Sequence, residues 1–280
     1  MSKQSDKQLE KQLEKCAVFR KLHENKMGWI IPNPWDTGSA RILEGLGFQA
    51  LATTSGGYAF TLGKSDGSVT MDEMLQHCSA LTIATEIPVN ADFENGYSDD
   101  ISTMIDNIKR LVETGVAGIS IEDFSRDERI IYPLAQAAER VHAAAEAIRE
   151  TGVPVVLTAR AESLLREFDN DLEEVEERLQ AYSKAGADVL YAPAVGNLAD
   201  LKRVTANLDK PFNVLASFIR GANVQQLVEA GANRISVGGA LTYAAVAPLL
   251  RAGTEMLEHG SFDWMESVAD GKEIRRLLNR

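Results

Sequence analysis

The sequence predicts a single α/β domain, a (β/α)8 barrel of the TIM type, and three observations carry the prediction. Short apolar or β-branched runs alternate eight times with stretches of helical period, recurring glycine turns lead from helix back to strand, and several runs turn polar at their ends. The length fits, since 280 residues with 45% hydrophobic side chains can bury one barrel core.

The first four runs are GWIIPNPWD (28–36), FQALATTSGG (48–57), PVNADFEN (88–95) and VAGISIEDF (116–124). PVVLTARAES (154–163), DVLYAPAVG (188–196), PFNVLASF (211–218) and RISVGGAL (234–241) follow. Between them, MDEMLQHCSALTIATE, DISTMIDNIKRLVETG and DLEEVEERLQAYSKAG carry helical spacing, and such alternation means a parallel sheet. The turns LGFQA, TGVAG, TGVPV, AGADV and AGANR each put Gly where a helix end calls for a left-handed residue. No GxGxxG follows the first strand and no Walker-type loop occurs, which favours a closed barrel over a doubly wound open sheet. Residues 1–27 read as an N-terminal helical arm (helical over about 7–24), 28–260 as the barrel and 261–280 as a C-terminal helical tail. The tail carries Phe262, Trp264, Met265, Ile274 and Leu277 at helical spacing and should dock rather than face solvent.

A formal charge of -12 argues against nucleic acid and anionic membrane surfaces, both of which select clustered Lys and Arg, so a small molecule is the expected partner. The opening MSKQSDKQLEKQLEK has no apolar run, and no stretch is long enough to span a bilayer, so a cytoplasmic protein is expected. Cys16 and Cys78 lie in helix-like segments without CxxC spacing and read as buried thiols. His23, His77, His142 and His259 all fall away from strand ends, which argues against a histidine triad or a zinc site.

Catalytic groups of a barrel project from the C-terminal ends of its strands and the loops beyond. The second run ends in Ser55-Gly56-Gly57, the third in Asp92 and Glu94, the fourth in Glu122 and Asp123, and the fifth in Arg160 and Glu162. Alternation along Asp92-Phe93-Glu94 would turn both carboxylates to one side. Glu122 from the next strand and Asp66 from the SDG turn complete a set of four acids with no lysine among them. Such acids repel unless a cation sits between them, and a hard, oxygen-preferring ion, Mg2+ or Mn2+ with waters in its shell, meets that need. Solvated loop acids or helix N-caps are the alternative, for which Asp66, Asp72 and Asp99 are suited. Ser55-Gly56-Gly57 offers backbone N–H groups to a carboxylate or phosphate oxygen, or else simply makes a tight turn. The Arg160 fork suits a substrate carboxylate, or else pairs with Glu122 or Glu162. Asn213 either binds ligand or satisfies the barrel interior, and Trp35 and Asp36 either line the pocket or pack beside it.

Taken in order, NPWDTGSARILEGLGFQALATTSGG, KSDG, IPVNADFENGY, GISIED and TAR resemble the isocitrate lyase and phosphoenolpyruvate mutase superfamily, over about residues 29–241. Smaller bacterial lyase-like members are the most similar. The resemblance implies Mg2+ in the barrel mouth and a 2-oxo acid or related small carboxylate as ligand. It makes Asp92 the direct metal ligand and Glu94 a water-mediated one, with Asp66 and Glu122 completing the acidic shell. Ser55, Gly56 and Gly57 would hold the substrate carboxylate with Arg160 as a further clamp, so Asp66, Glu122 and Arg160 are the expected catalytic set. It also implies a homo-oligomer, a dimer or tetramer exchanging a C-terminal helix between subunits, which would account for the apolar tail.

The sequence departs from the superfamily at one place. Isocitrate and methylisocitrate lyases carry Lys-x-Cys-Gly-His on the loop after strand four, where Cys acts as the acid. Here that loop reads FSRDERIIYPL (124–134), without Cys, Lys or His, and without the Lys-Thr-Asn pattern of phosphoenolpyruvate mutases. The expectation is therefore the shared chemistry. That chemistry would make the protein a Mg2+-dependent lyase cleaving a C–C bond of an oxaloacetate-like, methylisocitrate-like or dimethylmalate-like acid through a metal-stabilised enolate. Chemistry at a P–C bond of phosphonopyruvate or phosphoenolpyruvate, and a non-catalytic carboxylate-binding barrel, are the alternatives. Tyr58, Arg126 or a metal-bound water are candidates for the acid or base, while residues 126–129 read as a solvated charge run rather than a lid.

Overall fold

The computed structural model describes residues 3–25, 27–166 and 171–279, and within it every one of the eight runs contains a strand. These are β1 (Trp29–Ile31), β2 (Leu51–Ala52), β3 (Val89–Asp92), β4 (Gly118–Glu122), β5 (Val156–Arg160), β6 (Val189–Tyr191), β7 (Phe212–Leu215) and β8 (Arg234–Ser236). All pair in parallel in the order β1-β8-β7-β6-β5-β4-β3-β2. Between β2 and β1 the wall is joined by the Ala52 amide donating to Pro32 O at 3.0 Å. Asn33 reinforces that seam: its Nδ2 donates to Thr53 O, and its Oδ1 accepts from the amides of Val237 and Gly238.

Helices α2 (Thr37–Leu46), α4 (Met71–Ala84), α5 (Ile101–Val112), α6 (Leu134–Thr151), α7 (Leu172–Ala185), α8 (Leu198–Thr205) and α9 (Val224–Glu229) follow successive strands, α3 (Ser55–Thr61) being inserted ahead of α4. Local chemistry sets their ends. Asp36 with Ser39 and Thr70 with Glu73 form capping boxes at the starts of α2 and α4. The five glycines singled out at helix-to-strand turns, Gly47, Gly115, Gly152, Gly186 and Gly231, all have positive φ. Met104, Ile108 and Leu111 of α5 are fully buried, each side chain stabilising the fold by about 1.5–3 kcal/mol.

Helix α1 (Lys3–His23) is integral to the barrel rather than an arm beside it. Cys16 and Phe19 are fully buried, Gln12 Nε2 donates to the carbonyls of Val112 and Val116, and Lys15 Nζ to those of Thr82 and Thr85. Phe19 fills the space over Gly118, where an added Cβ would lie 2.4 Å from its ring. The helix therefore plugs the end of the barrel at which the strands begin. At the other end of the chain, α10 (Ala240–His259) leaves Leu249, Leu250 and Leu257 exposed, whereas α11 (Gly271–Leu278) returns to α2 of the same chain, with Leu277 seated on Gly45. Among the described residues no helix is long and apolar enough to cross a membrane.

The sequence did not announce a two-stranded antiparallel hairpin, Phe124–Ser125 with Ile130–Ile131, on the loop after β4. Beneath it Asn95 donates to Tyr132 Oη at 3.0 Å, Tyr132 donates to Asp99, and Arg140 donates to the carbonyls of Asn95, Ser98 and Asp99. These bonds tie the hairpin to the loop that follows β3.

Candidate active site

The strand ends open into a cavity of about 700 Å³. Ser55, Gly56, Gly57, Asp66, Asp92, Arg160 and Asn213 all line it, while Glu94 and Glu122 lie buried behind the lining. The expected residues are thus brought to one place, though not all for the expected reasons. Strand β3 ends at Asp92, and Glu94 adopts φ 49, so its carboxylate arrives through a left-handed bend rather than by strand alternation. Ser55-Gly56-Gly57 is the first turn of α3, capped by Thr54 Oγ1, instead of a free turn.

The Ser55 amide donates to Asp92 Oδ2 at 3.2 Å, and its hydroxyl donates to Asp66 Oδ1 at 3.3 Å. Arg160 lies among three carboxylates, with Nη1 3.3 Å from Asp92 and 3.5 Å from Glu122, and Nε on Glu162. Arg166 shares Glu122 at 3.5 Å and Glu162 at 3.0 Å, and its guanidinium covers the Phe124 ring. Arg126 does not belong to a solvated run: its Nε is 2.9 Å from Glu94 and its Nη2 is 3.8 Å from Asp66, whereas Asp127, Glu128 and Arg129 are exposed. It rests on Gly67, where φ is +81 and a Cβ would overlap the guanidinium at 1.8 Å. Behind Glu122, Asp123 accepts from the Glu162 amide, Arg178 and Tyr182, which anchors the ends of β4 and β5.

Acids here gather faster than the cations that offset them. With all of them ionised, Asp66, Asp92, Glu94, Glu122 and Glu162 outnumber by two the guanidinium groups of Arg126, Arg160 and Arg166 that pair with them. Burial pushes the Glu94 carboxyl up to about 7, opposed by Arg126 and reinforced by Asp92 and Asp66. Glu122 also rises, through burial and the neighbouring Glu162. Glu94 Oε1 is buried without a hydrogen-bond partner. An oxygen-only donor set, a deficit of two charges and an orphaned carboxylate oxygen fit a hard divalent cation. Among the described residues no three Asp, Glu, His or Cys side chains converge on one point, so such an ion would complete its shell with water.

Arg166, Tyr191 and Arg234, all of which line the cavity, were not among the residues assigned to the site from the sequence, whereas Arg126, a candidate acid or base there, lines it as an ion-pair partner of Glu94. Tyr191 ends β6 as Arg160 ends β5, and a search for charged strand ends passes over a phenol. Asn213 uses both ends of its amide within the barrel: Oδ1 accepts from Arg234 Nε and Nδ2 donates to Ser236 Oγ. Trp35 is partly exposed and Asp36 exposed, with Asp36 serving as the cap of α2.

A profile of the phosphoenolpyruvate phosphomutase family matches residues 19–257. The chain belongs to that family. Within the wider isocitrate lyase/phosphoenolpyruvate mutase superfamily, a candidate lyase/mutase from Burkholderia cenocepacia J2315 superposes with a TM-score of 0.92 at 41% identity, over 97% of this chain and 98% of that one. An uncharacterized protein of Mycobacterium tuberculosis is 30% identical over 92% of this chain and 91% of its own. The 2,3-dimethylmalate lyase of Eubacterium barkeri is 26% identical over 77% and 75% of the two chains.

Proposed function

We propose that this member of the phosphoenolpyruvate phosphomutase family is a divalent-metal-dependent carbon–carbon lyase acting on a small 2-oxo or 2-hydroxy carboxylate. The observation that carries the reading is the deficit of two positive charges among the acids and guanidinium groups at the strand ends. Similarity to 2,3-dimethylmalate lyase supports carbon–carbon cleavage. Asp92 would hold Mg2+ or Mn2+ directly, with Asp66, Glu94 and Glu122 acting through waters. When bound, the ion supplies a Lewis acid that draws electron density from a substrate oxygen.

The chain's own residues do the rest. Arg160, whose Nε and Nη1 are held by Glu162, Asp92 and Glu122, would turn its Nη2 to a substrate carboxylate, and the Gly56 amide in the first turn of α3 would offer a backbone donor beside it. Asp123, Arg178 and Tyr182 keep Glu122 and Arg160 in place from behind. The exposed Leu249, Leu250 and Leu257 of α10, with Phe262, Met265 and Val268 beyond it, would be covered by a second copy of the chain in a homo-oligomer.

The test is release of pyruvate from oxaloacetate, 2,3-dimethylmalate and phosphonopyruvate, with Mg2+ and with chelator. Turnover of one of the first two acids, lost with chelator and reduced at least about 100-fold in Asp92→Ala, is expected. If no acid turns over and Asp92→Ala binds oxalate as tightly as the wild type, the reading is wrong. Turnover of phosphonopyruvate alone would move the chemistry to the P–C bond.

A further inference from the structure

A lyase of this kind needs a proton for the carbon left as an enolate, and residues 124–134 hold no Cys, Lys or His to give it. The barrel interior contains a directed chain of hydrogen bonds that leads to another donor. Glu122, Arg160, Tyr191 and Asn213 are successive register partners across β4, β5, β6 and β7, and Asn213 pairs in turn with Arg234 of β8. Arg234 is 3% exposed and meets neutral partners: Asn213 Oδ1 at 2.7 Å, Thr158 Oγ1 at 3.1 Å and His23 Nε2 at 3.2 Å. No carboxylate among the described residues lies within ion-pair distance of it.

A guanidinium can only donate, so the oxygen of the Asn213 amide must face Arg234 and its NH2 must face Ser236, whose Oγ it reaches at 2.9 Å. The Ser236 hydroxyl, having accepted, gives its own proton onward, either to Val214 O at 3.3 Å or to the Tyr191 phenol oxygen. With the Ser236 hydrogen turned to the phenol oxygen, the row of donors runs from Arg234 through Asn213 and Ser236 to Tyr191. When the phenol oxygen accepts from Ser236, its own hydrogen is free to face the cavity that Tyr191 lines beside Arg160, whose guanidinium carbon is 5.3 Å from the ring centre.

We infer that Tyr191 is the proton donor of the lyase reaction, the part a loop cysteine plays in related enzymes, and that the Arg234–Asn213–Ser236 row stabilises the phenolate it leaves. The inference rests on the lyase reading above. Burial raises the phenol to about 12, which keeps the proton in place at neutral pH. In the step, the C–C bond breaks with its electron pair kept by the carbon that becomes the enolate. That carbon then forms a C–H bond with the Tyr191 proton, leaving a phenolate. For a 2-hydroxy acid, the proton lost as the hydroxyl becomes a carbonyl returns to the phenolate through cavity water; for a 2-oxo acid that loses CO2, water gives the phenolate its proton and the hydroxide left joins CO2 as bicarbonate, so neither case needs an outside reductant or oxidant.

Turnover and oxalate affinity, both with Mn2+ present, are measured for wild type, Tyr191→Phe and Ser236→Ala. Tyr191→Phe should lower kcat by about 100-fold or more while KM and oxalate affinity change less than about threefold; Ser236→Ala should lower kcat by about tenfold. A kcat for Tyr191→Phe within about threefold of wild type overturns the inference and leaves the lyase reading standing. A wild type that binds oxalate but turns over none of the acids removes both. If Tyr191→Phe melts well below wild type, Ser236→Ala decides, and an unchanged kcat there overturns the assignment.

Discussion

Arg126 shows how much one side chain decides here. Its ion pair with Glu94 is largely buried, the two side chains being 21% and 5% exposed. Removing one partner of such a pair strands the other charge, at a cost of about 3–5 kcal/mol when burial is complete. Arg126→Ala should therefore destabilise the metal-free protein by about 2–4 kcal/mol in denaturant unfolding, less where Glu94 can take up a proton, and saturating Mg2+ should recover part of the loss. An equal loss with and without Mg2+ would separate Glu94 from the metal. The sequence made Asp92, Glu122 and Arg160 legible because each ends a strand, and strand ends can be located from periodicity. Arg126 was hidden in Arg-Asp-Glu-Arg, whose other three members are exposed, and nothing local distinguishes the one that turns inward. Tyr191 and Arg234 escaped for other reasons: Tyr191 ends β6 with a phenol rather than a charge, and Arg234 begins β8, at the strand end opposite to the one where catalytic groups are sought.

At the scale of elements, the eight strands were readable because turn glycines and apolar runs mark them independently and agree. Helix α1 was read as an arm because its buried stripe, Gln12, Lys15, Cys16, Phe19 and His23, has helical spacing but is mostly polar. A hydrophobicity pattern cannot show burial achieved through carbonyl acceptors at the barrel floor. The hairpin at 124–131 was equally opaque, since two-residue strands carry too little pattern. Its fastening through Tyr132, Asp99 and Arg140 favours a fixed wall over a swinging lid. With Arg140→Ala the carbonyls of Asn95, Ser98 and Asp99 lose their shared donor. The expected outcome is a rise in KM with the fold retained, checked by steady-state kinetics and circular dichroism.

For the molecule as a whole, acid crowding at the mouth predicts how stability responds to pH. Glu94 rises from an ordinary 4.5 to about 7 on folding, so the native state holds its proton more tightly than the unfolded chain. That stability is complete below pH 4.5 and is lost as pH rises through about 7. Burial lowers His23 to about 3 and His77 to about 4, which acts in the opposite sense, but only below their ordinary 6.5. Between about pH 6.5 and 8 the carboxylates thus dominate. The melting temperature of chelator-treated protein should fall across that window, and Mg2+, which favours the charged carboxylates, should flatten the slope. A metal-independent slope would contradict the site. The seam between β1 and β2 has a consequence of a different kind. A wall joined there by the Ala52 amide, but by five registered pairs between β4 and β5, should open to solvent unevenly. Deuterium should enter at Ala52 at least about tenfold faster than at Ile121, and a ligand bridging Ser55 and Asp92 should slow it there first, so the slit beside the cavity reports occupancy without any chemistry taking place.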